Sequence, residues 1–272
     1  MKDFSLDIYR ELLETLQRQG YQLIGYADYL KLKVESRKTK DEKFVILRHD
    51  VDAKPLNSLK TAQIEHSLGA KATYYFRKPT SDSSLKGRGL TEPEIIRAIV
   101  KLGHEIGYHY EDLSLCDGDA DKAWGHFQTW LDYFRQYYAV DTICMHGSPT
   151  SQWDNKDMWK KYNYKTLDII GEPYLDTDFS KVFYLTDTGR CWDGYKVSVR
   201  DKIPTYQDKW TSKGLVWHTT AQLIKAIEEN RLPADVMITT HPQRWTNDAK
   251  AWYLELVTQT VKNWIKKLWI RN

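Results

Sequence analysis

Short apolar runs, each too brief to be a helix, alternate along this chain with longer stretches whose apolar residues recur every three or four positions. That alternation constrains the fold more than any other feature. Strand-helix repetition builds a mainly parallel sheet with right-handed crossovers and helices packed on it. Phe44-Val-Ile-Leu47 is continuously apolar, as expected of a strand covered on both faces. Residues 72–76, the stretch around Ile106, and residues 142–145, 182–185, 195–199 and 236–239 carry further strand signals.

The intervening stretches read as helices. Ile8, Leu12, Leu13 and Leu16 share one face of an opening helix that Gly20 can end, and a short helix is expected over 26–33. Residues 56–68 form another, closed by Gly69. Thr91-Glu-Pro-Glu94 has capping-box spacing with proline in the first turn, and opens a helix running to Gly103. Helices are also expected over 120–138, 221–229 and about 248–269. At 272 residues the chain suits one (β/α) barrel, which takes about 250 residues. The expectation is a single domain over 1–272. It would be a distorted (β/α) barrel of seven or eight mainly parallel strands, its mouth decorated by the irregular stretch 149–219.

Composition excludes several classes. No apolar run approaches the roughly 20 residues of a membrane span. The first nineteen residues mix charged and apolar types and show no secretion signal. Cys116, Cys144 and Cys191 are odd in number and lack C-x-x-C spacing, so a reducing, cytoplasmic setting is expected. The net charge of +3 is spread over both signs, and the basic patch 37–43 is broken by Asp41 and Glu42, which gives no nucleic-acid surface. Aromatic residues reach 13%, with 11 Trp and 18 Tyr. Such an excess serves core packing, and it also suits a groove that stacks sugar rings.

Ligands of parallel sheets bind beyond the C-terminal strand ends, and four strand ends here release polar residues. They read Arg48-His49-Asp50-Val51-Asp52, Tyr108-His109-Tyr110-Glu111-Asp112, His146-Gly-Ser-Pro149 and His241-Pro-Gln-Arg-Trp245. Asp50 and Asp52 are two apart, so in extended backbone both carboxylates leave on one side. Two like charges so close require a cation or a donor between them, or a shared proton. One aspartate ligating a metal while the other acts as a base meets that requirement. The structural alternative is that one of them caps the following helix. His109 lies at the productive end of its strand, whereas His104 lies at the other end and reads as structural. His49, His146 and Trp192 are candidate substrate contacts.

Phe44-Val-Ile-Leu-Arg-His-Asp-Val-Asp52 resembles the first motif of polysaccharide deacetylases of the NodB-like superfamily, in an Asp-x-Asp variant. Gly103-His-Glu-Ile-Gly-Tyr-His109 is similar to that family's Gly-His-Glu-Ile-Gly-x-His segment. Met237-Ile-Thr-Thr-His241 resembles its late strand, and Ala72-Thr-Tyr-Tyr-Phe76 its second strand. The resemblance covers about residues 44–241. It implies a hydrolase that removes acetyl groups from sugars with zinc or another divalent metal. Asp50 would be the base, Asp52 and His109 metal ligands, and His241 the acid.

The chain departs from the family where His-x-x-x-His is usual, because Leu113 stands four residues after His109. Glu111, Asp112 or His146 can replace the missing ligand. Glu111 is favoured, being two residues on from His109 in extended chain, and a carboxylate there would shift preference toward harder metals. The family's Arg-x-Pro-Tyr motif is replaced by His146-Gly-Ser-Pro149. The expected substrate is an N-acetylated sugar or sugar conjugate, a precursor in polysaccharide biosynthesis. The alternative is a non-catalytic carbohydrate-binding protein on the same fold, which Leu113 favours and the joint presence of Asp50 and His241 opposes. A glycosidase with two carboxylates fits poorly, since Asp50 and Asp52 are too close in sequence to flank a bond.

Overall fold

A computed structural model describes residues 1–34, 42–79, 90–147, 151–196, 198 and 201–270. In chain order the elements begin α1 (Leu6–Arg18), β1 (Tyr21–Ile24), α2 (Tyr26–Val34), β2 (Lys43–Val51), α3 (Pro55–Ser67) and β3 (Thr73–Phe76). They continue with α4 (Glu92–Lys101), β4 (Glu105–Tyr110), α5 (Asp112–Leu115), α6 (Ala120–Arg135), β5 (Ile143–Met145) and α7 (Pro173–Asp176). The last are β6 (Phe183–Thr186), α8 (Pro204–Ser212), α9 (Thr220–Glu228), β7 (Asp235–Thr240) and α10 (Ala249–Ile270).

The expected alternation is present, and all the strand pairs are parallel. The seven-stranded sheet runs β5-β4-β3-β2-β7-β6. β1 shares an edge of β2 with β3, pairing Tyr21–Ile24 with Lys43–Ile46, while β3 takes Arg48–Val51. The sheet must curl. His146, just past β5, and Asp52, just past β2, stand three strands apart, roughly 14 Å on a flat sheet. Their side chains nevertheless approach to 3.5 Å. This is the distorted barrel wall that the alternation predicts.

Local chemistry explains the boundaries. Thr91 and Glu94 form the expected capping box on α4. Gly69, at φ +68°, follows α3 in the left-handed region that favours glycine. Gly107 serves close approach instead: a Cβ there would stand 2.4 Å from the Tyr75 ring and 2.7 Å from the Thr142 carbonyl oxygen. Tyr75 uses the space to reach Thr142 Oγ1 at 2.9 Å, joining β3 across β4 to the start of β5.

β1, α5, α7 and α8 are additions to the expected elements. The expected strand over 195–199 is a correction: Gly194–Lys196 is a single 3-10 turn, and 197 and 199 lie outside the described residues. So does most of the basic patch 37–43, together with Ser148 and Pro149.

A buried polar cluster lies between the sheet and the helices. Glu65 of α3 is fully buried and accepts hydrogen bonds from Tyr9 and, at 2.7 Å, from Tyr74. His49 Nε2 lies 2.7 Å from it and His104 Nδ1 3.6 Å. Burial opposes the Glu65 charge, yet His49, His104 and Tyr9 outweigh it and hold the carboxyl below its ordinary range. His104 also bonds the Ala62 carbonyl, in keeping with a structural role.

Candidate active site

Strand register decides which side chains meet. Asp50 pairs with Tyr75 and Tyr75 with Gly107, so His109, two residues on, shares their face of the sheet. His109 pairs with Cys144, which puts His146 on that face, and Arg48 pairs with Thr239, which puts His241 there. The face is the concave one, and on it the side chains converge. His109 Nε2 lies 3.5 Å from Asp52 Oδ1 and 3.8 Å from Asp50 Oδ2. His146 Nε2 is 3.5 Å from Asp52 Oδ1, and His241 Nε2 is 3.8 Å from Asp52 Oδ2. Neither aspartate caps α3, whose N-cap is Lys54 in a left-handed conformation without a side-chain bond.

The two carboxylates are neutralised differently. Asp50 is gripped by the fully buried Arg48, two residues earlier on β2, with Nε–Oδ1 at 3.1 Å and Nη2–Oδ2 at 2.8 Å. Such a fork fixes orientation as well as charge. Arg48 is itself held by Tyr174, whose hydroxyl also donates to Asp201. Asp52 has no such partner. Burial works against its charge, but His109, His146 and His241 together hold its carboxyl well below the usual range.

The outer contacts of the two histidines determine what faces Asp52. His109 Nδ1 lies 3.0 Å from the Cys144 carbonyl oxygen, which can only accept, so Nδ1 carries the proton. His146 Nδ1 lies 3.0 Å from Glu111 Oε2. Burial raises the Glu111 carboxyl, but His146 and Arg77 prevail and bring it down to about 2, so it too is an acceptor. When these rings are protonated, their Nε2–H groups are the charges that lower the Asp52 pKa; when they are neutral, the same Nε2 atoms turn lone pairs toward Asp52 Oδ1, as metal ligands require.

One ring nitrogen from each of these two histidines and a carboxylate oxygen of Asp52, all within 4.8 Å of one another, form a donor group that could hold a metal ion. The donor set suits a divalent transition ion with three protein ligands and open positions. A second donor group, Asp50, His109 and Cys144, is less suited. Arg48 already neutralises Asp50, and burial pushes the Cys144 thiol well above its ordinary value. A third group, Cys191, Asp193 and His218, is separate, and there Lys196 lies 2.7 Å from Asp193.

Glu111, the expected replacement for the missing histidine, stands behind His146 instead. The chain leaves extended geometry at Glu111, whose ψ is 25°, to enter α5, and its carboxylate pairs with Arg77 and His146. Asp112 is buried against Tyr108 and His126. Leu113 is 4% exposed in the apolar core. His146, expected as a substrate contact and named with Glu111 and Asp112 as a possible replacement ligand, is the third member of the candidate donor group. His49 is not brought into the cleft: its ring lies on the other face between Thr240 and Glu65. Trp192 is not brought in either, being buried with Nε1 donating to Thr220.

His241 has a partner that the sequence reading did not name. Its Nδ1 lies 2.6 Å from Asp187 Oδ1, and its backbone N–H donates to Asp187 Oδ2 at 3.0 Å. Burial and Arg244 lower the His241 pKa, but Asp187 and Asp52 outweigh them and the net shift is upward. Asp187 follows β6 directly, so the strand-end rule applied to that strand would have found it.

No known family model matches the chain, and no curated protein matches it in sequence. Among solved structures it is similar to the Streptococcus pyogenes deacetylase PplD in complex with acetate. The TM-score is 0.42 and the identity 17%, over 58% of this chain and 70% of that one. A likeness of that size assigns no chemistry, which rests on the geometry of the site.

Proposed function

We infer that this chain is a metal-dependent hydrolase that removes an acetyl group from the nitrogen of an amino sugar or its conjugate. The observation that carries the reading is the donor trio Asp52, His109 and His146, flanked by a carboxylate at Asp50 and an imidazole at His241. The acetylated-sugar class comes from the motif resemblance over 44–241.

Asp52, His109 and His146 would hold a divalent ion such as zinc. When bound, such an ion polarises a carbonyl and makes water more acidic. The remaining work falls to the chain. Asp50, its orientation fixed by Arg48, takes the proton of the attacking water. The water oxygen bonds to the acetyl carbon, and the carbon–nitrogen bond breaks. His241, protonated at Nε2 and held through Nδ1 by Asp187, gives a proton to the departing nitrogen. The products are acetic acid, which releases its proton to become acetate, and a free amine; the proton taken by Asp50 restores the one given up by His241, so atoms and charge balance.

The test is acetate release from N-acetylated amino sugars and their nucleotide conjugates, with zinc, cobalt or manganese added. Release that is abolished in both Asp50→Asn and His241→Ala supports the reading. Sugar binding without acetate release under every metal supports a carbohydrate-binding protein instead.

A further inference from the structure

We propose that Cys191, Asp193 and His218 form a second divalent-metal site, of the zinc type, which shares no residue with the Asp52 group. One thiol, one carboxylate and one imidazole offer ligand atoms that all lie within 4.8 Å of one another. Thiolate with imidazole favours zinc or a similar borderline ion over magnesium and calcium, which prefer oxygen ligands. A cysteine that only fills space needs no such company. Cys191 is buried and has both a carboxylate and an imidazole beside it.

The backbone holds these donors together. Cys191 and Asp193 lie on the turn that follows β6. Gly189 and Arg190 both have positive φ, +77° and +61°. For Arg190, which carries a Cβ, that conformation is strained, and strain of this kind gathers at functional turns. Gly194 closes the turn, since a Cβ there would stand 1.9 Å from the Thr188 carbonyl oxygen. The Trp192 N–H donates to the His218 carbonyl at 3.1 Å and fastens the turn beside that histidine.

The three side chains also line a cavity of about 310 Å³, together with Gln259, Thr260 and Asn263 of α10. One water needs about 10–15 Å³. An ion held by three protein ligands therefore has room for water on its open positions.

Two present contacts must yield to the ion. Asp193 Oδ1 lies 2.7 Å from His218 Nδ1, and Oδ2 lies 2.7 Å from Lys196 Nζ. The His218 and Lys196 side chains are 65% and 55% exposed, so the ring can turn and the ammonium can leave. The ion takes over from Lys196 as counter-charge and displaces the thiol proton, which goes to water. Because of that exchange this site is the weaker of the two and fills after the Asp52 group. The proposal does not depend on the catalytic reading.

The experiment is cobalt titration of the full chain, followed by near-ultraviolet thiolate-to-cobalt charge-transfer absorption. The Asp52 group contains no thiolate, so the absorption separates the two sites. It should grow with the second equivalent of cobalt, persist in His146→Ala and vanish in Cys191→Ser. His218→Ala should weaken binding at this site by about 10- to 100-fold or more, since a lost ligand costs at least what a lost outer partner does. That variant removes an exposed side chain, so its result stands if Cys191→Ser fails to fold. Lys196→Met removes the competing ammonium and should tighten binding about two- to fivefold. Absence of the absorption at saturating cobalt overturns the proposal. So does absorption that survives in Cys191→Ser, which assigns it to another cysteine, or cobalt affinity unchanged by His218→Ala.

Discussion

Glu111 Oε2 stands 3.0 Å from Nδ1 of His146, and this contact turns the other ring nitrogen toward Asp52. A carboxylate behind a ligating histidine fixes its tautomer and raises its basicity. Glu111→Ala should therefore lower metal affinity about 10- to 100-fold although Glu111 is not itself a ligand. Competition against a chromophoric chelator measures this. Unchanged affinity would show that the contact does not position His146.

The pairing of His241 with Asp187 sets a pH dependence. In the proposed mechanism His241 is the acid, so activity requires its protonated form and is lost as pH rises through its raised pKa. The basic limb of kcat against pH should thus lie above the ordinary imidazole range. Asp187→Asn removes a raising influence and should move that limb to lower pH. Asp50→Asn and His241→Ala should each reduce kcat by about 10²- to 10⁴-fold. A basic limb unmoved by Asp187→Asn would separate His241 from the proton transfer.

Glu65 tests the structural side of the account. It is fully buried and serves Tyr9, Tyr74 and His49 at once. Glu65→Ala leaves those groups buried without their acceptor and should cost about 3 kcal/mol or more in urea unfolding. A cost within the range of an ordinary surface substitution would mean that water replaces the carboxylate.

Much of this was legible in the sequence because strand ends announce themselves. Apolar runs followed by Asp50, His109 and His241 place those residues at one end of a parallel sheet, and the register then puts them on one face. What stayed hidden depends on where the chain bends. Glu111 shares the face of His109 only while the backbone stays extended, and it turns there into α5. His146 reaches Asp52 across three strands because the sheet curls, which no local pattern encodes. The grip of Arg48 on Asp50 is an i, i+2 contact on one strand face, visible in the spacing once both are known to lie within β2. β1 is only four residues, Tyr-Gln-Leu-Ile, and becomes a strand through its pairing with β2 rather than through its own pattern.

In the proposed site His146 completes, with Asp52 and His109, the donor group that Leu113 would otherwise leave short. Equilibrium zinc titration of wild type, His146→Ala and Leu113→His tests it most directly. One tight equivalent should bind to the wild type and be lost in His146→Ala. Leu113→His should gain no affinity and should be less stable, since its imidazole would enter the apolar core. Tight binding that survives His146→Ala, or that appears only in Leu113→His, would contradict the account.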